Sequence, residues 1–237
     1  MNEKNHQDNR NLINFWDKAL SLSEEDQAEI NRCGTDGWKE LAPSEKLFNA
    51  AASLGHRKKV LDYGCGTAWA AIIAAKYGCP DVTAVDAAPG AVRTAAFYAS
   101  LYGLQDAVHT ACISSGWLQA IPACTYDGLI CSNVLDVVPP ETAEEILRDA
   151  ANAVTEDASV IIGLNFSVTP EAAAQRGIEL TEGNRLYMNG VLRLVSRSDE
   201  EWAQVFSSWF AVERLDHFAW PGEAEERRRL FFLRKKT

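Results

Sequence analysis

The spacing of hydrophobic residues changes once along the chain. In the first part, apolar residues recur at helical intervals, as Leu12, Phe15 and Trp16 do. In the second part, short apolar runs alternate with Ala-rich or amphipathic stretches, which is typical of strands followed by helices. The pattern predicts a helical N-terminal segment over residues 1–56 and an α/β domain over residues 57–237.

Seven apolar segments of the second part are predicted strands, and predicted helices follow the first, the second and the fourth. They are Val60–Tyr63, Asp81–Val85, Val108–Cys112, Tyr126–Ser132, Ser159–Phe166, Phe210–Phe218 and Leu230–Leu233. The run Val160–Leu164 is continuously apolar, as expected for a strand of a parallel sheet covered on both faces. The segment therefore predicts a doubly wound, mostly parallel sheet.

An insertion at about residues 167–198 separates the fifth and sixth predicted strands. Its centre, Leu186–Val195, contains Asn189-Gly190, a pair that favours a two-residue hairpin turn. We expect a small β-hairpin insertion rather than a separate domain.

Charge and cysteine usage limit the kinds of partner. The 33 acidic and 23 basic residues give a net charge of −10, which disfavours nucleic-acid binding through phosphate contacts. The basic group Arg227–Arg229 is expected to be a solvated strand face. The six cysteines form no CxxC pair, so we expect reduced thiols and no metal site. The polar first ten residues and the lack of a long apolar run predict a cytoplasmic protein without a membrane segment.

A glycine-rich turn joins the first predicted strand to the first predicted helix of the α/β domain. Gly64 and Gly66 let the backbone turn tightly and approach a ligand without a Cβ in the way. Ligands of such sheets lie outside the carboxyl ends of the strands. Asp86 ends the second strand, where a carboxylate accepts the hydroxyls of a ribose.

Two nucleotide classes compete for this turn. A dinucleotide fingerprint needs a third small residue, and Trp69 stands at that position. Asp62, two residues before Gly64, adds negative charge where a pyrophosphate would lie. A ligand with a cationic headgroup therefore fits better than a dinucleotide.

The segment Asp62–Gly66, with Asp86 in register, resembles the first motif of class I S-adenosylmethionine-dependent methyltransferases. Tyr126–Leu135 resembles the fourth-strand motif of the same family, and the similarity extends over Lys59–Phe166. The resemblance implies a Rossmann-like sheet of seven strands, the tail supplying the last two. The N-terminal helices, residues 1–56, then form a lid on the methyltransferase domain.

The resemblance also implies a cofactor site, which consists of Asp62, Gly64, Gly66, Asp86, Ala87, Ile113, Ser114 and Asn133, with Trp16 contributed by the lid. Within it, Asp62 lies near the methionine ammonium and Asp86 holds the ribose. Ile113 and Ser114 lie where the family contacts adenine. Many relatives carry an acid there and this chain does not, which favours backbone and apolar contacts.

Two residues are candidates for the chemistry. Asn133 ends the fourth strand and faces either the methionine moiety or the acceptor, or it only turns the chain. His217, near the end of the sixth strand, is either a general base or a histidine satisfied by packing. Trp16 covers the cofactor or packs in the core. Asp136 is either a base or a solvated loop acid, and the second is favoured.

The predicted reaction is transfer of the methyl group of S-adenosylmethionine to a small molecule by in-line displacement, with S-adenosylhomocysteine as product. The fourth-strand segment Ser132–Leu135 differs from the motif of enzymes that methylate DNA bases, and the acceptor atom stays open. An amine is slightly favoured if the pocket shares the negative charge. The alternatives are a non-catalytic protein regulated by S-adenosylmethionine, a macromolecule methyltransferase and a dinucleotide-dependent oxidoreductase.

Overall fold

A computed structural model describes residues 3–175, 178–181 and 184–236. The helices are α1 (Glu3–Leu20), α2 (Glu24–Cys33), α3 (Glu45–Ser53), α4 (Trp69–Lys76), α5 (Pro89–Leu101), α6 (Pro140–Ala153), α7 (Pro170–Gln175) and α8 (Asp199–Phe206). The strands are β1 (Val60–Tyr63), β2 (Val82–Asp86), β3 (Val108–Cys112), β4 (Tyr126–Ser132), β5 (Val154–Leu164), β6 (Glu179–Thr181), β7 (Arg185–Met188), β8 (Val191–Val195), β9 (Phe210–Phe218) and β10 (Arg228–Lys235). Within these ranges, no helix is both long enough and apolar enough to cross a membrane.

The main sheet has seven strands in the order β3-β2-β1-β4-β5-β10-β9. The pairs from β3 to β5 are parallel, and β10 runs antiparallel to both of its neighbours. The direction of winding reverses between β1 and β4, so the carboxyl ends of these strands border the crevice in which ligands of such sheets bind. The predicted doubly wound, seven-stranded sheet is confirmed.

Both faces of the sheet are buried. In β5, Val160 and Ile162 pack in one hydrophobic cluster with residues of α6 and α8, whereas Ile161 packs in the other with residues of α3 and α4. Because alternate side chains of a strand point to opposite faces, a strand with two covered faces needs apolar residues throughout. This explains the continuous apolar run that predicted a parallel sheet.

The insertion forms a small antiparallel sheet in the order β6-β7-β8. Asn189 and Gly190 both have positive φ angles, 53° and 74°, as the predicted two-residue hairpin turn requires. The hairpin prediction is confirmed. The third strand, Glu179–Thr181, has only three residues and was not predicted, because so short a segment shows no measurable alternation.

Helix α1 lies between α5 and the insertion. On one side the Asp17 carboxylate accepts a hydrogen bond from the Gly90 backbone N–H, with 2.5 Å between Oδ1 and N. The Thr94 hydroxyl, also on α5, donates to the Leu20 carbonyl at 2.6 Å. On the other side the Tyr187 hydroxyl donates to Asp8 at 2.7 Å. The helix is therefore fixed at both ends over the carboxyl edge of the sheet.

The expectation that Arg227–Arg229 forms a solvated face is wrong for two of its residues. Arg228 and Arg229 are only 6% and 1% exposed. Arg228 pairs with Glu223 at 2.7 Å, and Arg229 donates to the Arg197 carbonyl at 2.6 Å. These partners supply the hydrogen bonds that a buried guanidinium needs. The Arg197 carbonyl is 32 positions from Arg229, so local charge does not indicate that contact.

The expectation that Asp136 is a solvated loop acid is also wrong, because its side chain is fully buried at 0% exposure. One carboxylate oxygen accepts hydrogen bonds from the backbone N–H and the side-chain amide of Asn165, at 2.6 and 3.1 Å. The Asp136 carbonyl accepts a further bond from Val195 at 2.7 Å. Asp136 thus joins the end of β5 to the insertion.

Candidate functional site

The turn after β1 depends on glycine. Gly64 and Gly66 have φ angles of 71° and 54°, in the left-handed region that L side chains disfavour. The Gly64 N–H donates to the Val85 carbonyl at 2.8 Å, which ties the turn to β2. A Cβ on Gly64 would lie 2.2 Å from a methyl group of Val134. The backbone at Gly64 therefore passes too close to Val134 for any side chain.

Asp62 lies directly beneath this turn. Its Oδ2 accepts a hydrogen bond from the Ala71 N–H in the first turn of α4, at 3.1 Å. Burial raises the pKa of the Asp62 carboxyl to about 7; the Ala71 N–H opposes this rise and the nearby Asp86 carboxylate adds to it. An approaching cation would favour the ionised form of this carboxyl.

Asp86 connects the glycine turn to α5. One of its oxygens accepts the Gly66 N–H at 3.0 Å, and the other accepts the Ala88 N–H at 2.8 Å. Burial raises the pKa of the Asp86 carboxyl, and these two hydrogen bonds oppose the rise. Each carboxylate oxygen has two acceptor positions, so the group retains capacity for two ligand hydroxyls.

Asn133 is strained and incompletely bonded. It follows the last residue of β4 with a φ angle of 56°, and its backbone N–H donates to the Gly163 carbonyl at 2.8 Å. Its side-chain carbonyl oxygen is buried without a hydrogen-bond partner among the described residues, and so is the hydroxyl of Ser132. Strain and an unsatisfied buried acceptor at the carboxyl end of a central strand are typical of a ligand site.

Helix α1 contributes a residue that sequence reasoning missed. A Cβ placed on Gly66 would lie 3.7 Å from the Leu20 side chain, so Leu20 covers the glycine turn. Trp16, the predicted lid residue, packs against the central hydrophobic cluster and makes an edge contact with Phe15. Leu20 follows Trp16 by four residues, so the helical spacing that indicated Trp16 also contained the signal for Leu20.

The predicted adenine contacts lie along the adjoining rim between β2 and β3. The Ile113 N–H donates to the Asp86 carbonyl at 2.9 Å, and the Ile113 side chain is buried. Ser114 is exposed, and its carbonyl accepts a hydrogen bond from Trp117. Ala87 lies between Asp86 and the start of α5. These residues therefore lie close to Asp86, the acid predicted to hold the ribose.

His217 is not brought to the glycine turn. It lies on β9, four strand positions from β1, which corresponds to roughly 19 Å at the usual spacing of strands. Its Nε2 is 2.9 Å from an oxygen of Asp199 at the start of α8. The structure thus gives this histidine a partner at the sheet edge.

The groups at the carboxyl ends of β1, β2 and β4 fit a nucleoside that carries an amino-acid tail. The buried carboxylate of Asp62 and the unpartnered oxygen of Asn133 suit an ammonium group. Asp86 suits vicinal hydroxyls, and the glycine turn leaves room for backbone contact. S-adenosylmethionine has each of these groups.

The protein family described as methyltransferase domain matches residues 60–157 of the chain. The chain is also similar to the ubiquinone biosynthesis O-methyltransferase of Neisseria meningitidis serogroup C, with 28% identity over 153 residues. That alignment covers 61% of this chain and 63% of the relative, so the chain matches less than two thirds of the relative's length.

Solved structures share the fold at low sequence identity. The 1,6-didemethyltoxoflavin-N1-methyltransferase of Burkholderia thailandensis, with S-adenosylhomocysteine bound, has a TM-score of 0.62 at 18% identity, covering 90% of this chain and 86% of its own. The (4+2)-cyclase SpnF has a TM-score of 0.61 at 14% identity, covering 80% of this chain and 82% of its own. Because one of these is a cyclase, the fold by itself does not define the reaction.

Proposed function

We propose that this chain, whose residues 60–157 match the methyltransferase-domain family, is a class I S-adenosylmethionine-dependent enzyme that transfers the methyl group to a small-molecule acceptor. The observation that carries the proposal is the meeting of Asp62, the glycine turn and Asp86 at one end of the sheet, where an Asp86 oxygen bonds the Gly66 N–H. A dinucleotide enzyme has no comparable support, because Trp69 stands where its fingerprint needs a small residue.

In this proposal the chain's own residues bind and align. When bound, the cofactor supplies an activated methyl group on a sulfonium. Asp62 holds the ammonium, Asp86 holds the ribose, and Asn133 orients the group that faces its unpartnered oxygen. Leu20 and the rest of the lid keep water from the turn. Alignment for in-line displacement in a dry pocket accounts for much of the rate enhancement in such transfers.

A small acceptor is favoured by the groove between α1 and the β7–β8 hairpin. Its volume is about 610 Å³, within the usual range for small-molecule sites. Two similar proteins have names that refer to small molecules: the Burkholderia enzyme is named for 1,6-didemethyltoxoflavin and the Neisseria enzyme for ubiquinone biosynthesis. His217 has no chemical role in this proposal, because it lies several strands away and has Asp199 as its partner.

Calorimetry combined with a turnover assay tests the proposal. S-adenosylmethionine and S-adenosylhomocysteine are each titrated into the protein, and formation of S-adenosylhomocysteine is followed over a panel of metabolites. We expect saturable binding of both nucleosides and turnover with at least one acceptor. Binding without turnover on any acceptor favours the non-catalytic regulatory alternative, and absence of binding refutes both.

The affinity for S-adenosylmethionine is expected to fall as the pH drops below about 7, the pKa of the buried Asp62 carboxyl. Protonation removes the charge that pairs with the ammonium, so the decline approaches about tenfold per pH unit. It is measured as the dissociation constant between pH 5 and 8. Asp62→Asn should bind more weakly and lose most of this pH dependence.

Protonation of Asp62 does not lower the affinity for S-adenosylmethionine by unfolding the protein. The pKa of this group is raised above its ordinary value of 3.8, so the folded state binds the proton more tightly than the unfolded state. Its contribution to the free energy of unfolding is therefore favourable below about pH 4 and decreases as the pH rises to about 7. Affinity and stability move in opposite directions, and a melting curve at each pH separates them.

A further inference from the structure

The groove between α1 and the hairpin carries no negative charge in a protein of net charge −10. Among the residues that the structure describes, none of those that line it is acidic. The lining consists mainly of side-chain amides, an apolar wall and one cation, supplied by Asn11, Asn14, Phe15, Lys18, Asn189 and Val191. A cationic ligand would find no counter-charge there.

Arg193, on β8, contacts Phe15, one of the residues that line this groove. Its guanidinium carbon is 4.2 Å from the ring centre of Phe15 and 5.8 Å from that of Trp16. The side chain is partly buried, and within the described part of the chain no carboxylate pairs with it. The contact with the two rings holds the guanidinium but leaves its N–H donors unoccupied.

Two other stacked arginines, unlike Arg193, have carboxylate partners. Arg214 also stacks on an aromatic ring, with its guanidinium 3.8 Å from the centre of Phe232, yet it pairs with Asp216 at 3.1 Å. The buried Arg228 pairs with Glu223 at 2.7 Å. A partly buried guanidinium with unoccupied donors is suited to bind an oxyanion in the bidentate manner typical of arginine.

Arg193 connects this groove to the proposed methyl-transfer site. Its guanidinium also lies against Trp16, which precedes Leu20 by four residues and therefore shares its face of α1. Leu20 covers Gly66. An acceptor bound by Arg193 therefore extends past Trp16 toward the glycine turn.

We propose that the acceptor is a flat aromatic molecule bearing a carboxylate, which Arg193 binds while Phe15 provides an apolar wall and Lys18 adds positive charge. The inference rests on the proposed function, of which it specifies the substrate class. It replaces the earlier expectation of an amine acceptor, because the charges that line the groove have the opposite sign to those of the whole chain.

Binding of three probes of one shape tests the inference. Benzoate, benzamide and benzylamine are titrated into the full chain in the presence of saturating S-adenosylhomocysteine, with the indole N–H signal of Trp16 followed by NMR. Benzoate is expected to bind at least tenfold more tightly than the other two and to shift the Trp16 signal. Equal affinities, tighter binding of benzylamine, or no binding of any probe overturns the inference.

Two substitutions identify the group responsible. Arg193→Gln should remove the preference for benzoate, and Arg193→Lys should retain part of it, because the charge remains without the planar fork. The matched control is Arg214→Gln, which removes a stacked arginine far from the groove and should leave all three affinities unchanged. A preference that survives in Arg193→Gln assigns the anion to another residue and refutes the role of Arg193.

The result distinguishes this inference from the proposed function. If S-adenosylmethionine binds and is turned over while the probes show no preference, only the substrate class is wrong. If the nucleosides do not bind, the titrations are repeated without S-adenosylhomocysteine, and a preference for benzoate then supports an anion site on a protein that is not a methyltransferase.

Discussion

Replacing Asp86 by alanine is expected to weaken S-adenosylhomocysteine binding by about 5- to 150-fold, equivalent to about 1–3 kcal/mol. The variant would lose the proposed hydrogen bonds between this carboxylate and the ribose. The Gly66 and Ala88 N–H groups, which now donate to Asp86 at 3.0 and 2.8 Å, would also lose their acceptor. The dissociation constant is measured by calorimetry, since this product is stable and needs no acceptor.

Two further variants separate ligand binding from support of the turn. Asp86→Asn keeps one acceptor oxygen and should lie between the wild type and Asp86→Ala in affinity. Asp106→Ala removes an exposed acid just before β3 and should leave the affinity unchanged. If Asp86→Ala binds S-adenosylhomocysteine as tightly as the wild type does, Asp86 is not part of the cofactor site.

The strands and the glycine turn were predictable because their signals are local. A strand buried on both faces must be continuously apolar, and Val160–Leu164 is. The turn at Gly64 needs a positive φ angle and close approach, so glycine at that position is itself the signal. Such constraints act on consecutive residues, so they can be recognised from the sequence alone.

The failures concern residues whose environment is set by distant partners. Arg229 is buried because the Arg197 carbonyl accepts its hydrogen bond, and Asp136 is buried because Asn165 donates to it. In each case the partner is about 30 positions away, and charge alone favours exposure. Leu20 escaped notice for the same reason, since its contact with Gly66 exists only once α1 docks on the sheet.

The two halves of the candidate site differ in the same way, since one is built from neighbouring segments and the other from distant ones. The cofactor half, Asp62 to Asp86, belongs to two adjacent strands and their turns, and its order in sequence is its order in space. The proposed acceptor half is assembled from α1 and the hairpin, which are some 180 positions apart, as in the hydrogen bond from Asn11 to the Gly190 carbonyl. No local sequence pattern predicts a groove of that kind. Arg193 became a candidate for binding the acceptor only when the structure showed its stacking on Phe15.

Replacing Gly64 by alanine is expected to destabilise the protein by about 2–5 kcal/mol and to abolish detectable cofactor binding. The left-handed φ angle of 71° costs an L residue about 1–2 kcal/mol. The new methyl group would also lie 2.2 Å from Val134, and relief of that overlap costs about 1–3 kcal/mol more. The free energy of unfolding is measured by urea denaturation, and binding by calorimetry.

A second glycine serves as a control that isolates the contribution of the overlap with Val134. Gly103, at the end of α5, has a similar φ angle of 68°, but nothing lies within 4 Å of a Cβ built there. Gly103→Ala should therefore cost only about 1–2 kcal/mol, the backbone share, and leave binding intact. Combining Gly64→Ala with Val134→Ala should recover about 1–3 kcal/mol, because the two residues contact each other and their effects are not additive. Equal losses in Gly64→Ala and Gly103→Ala, with no recovery in the double variant, would mean that the turn is not packed against Val134 and that only its backbone conformation favours glycine.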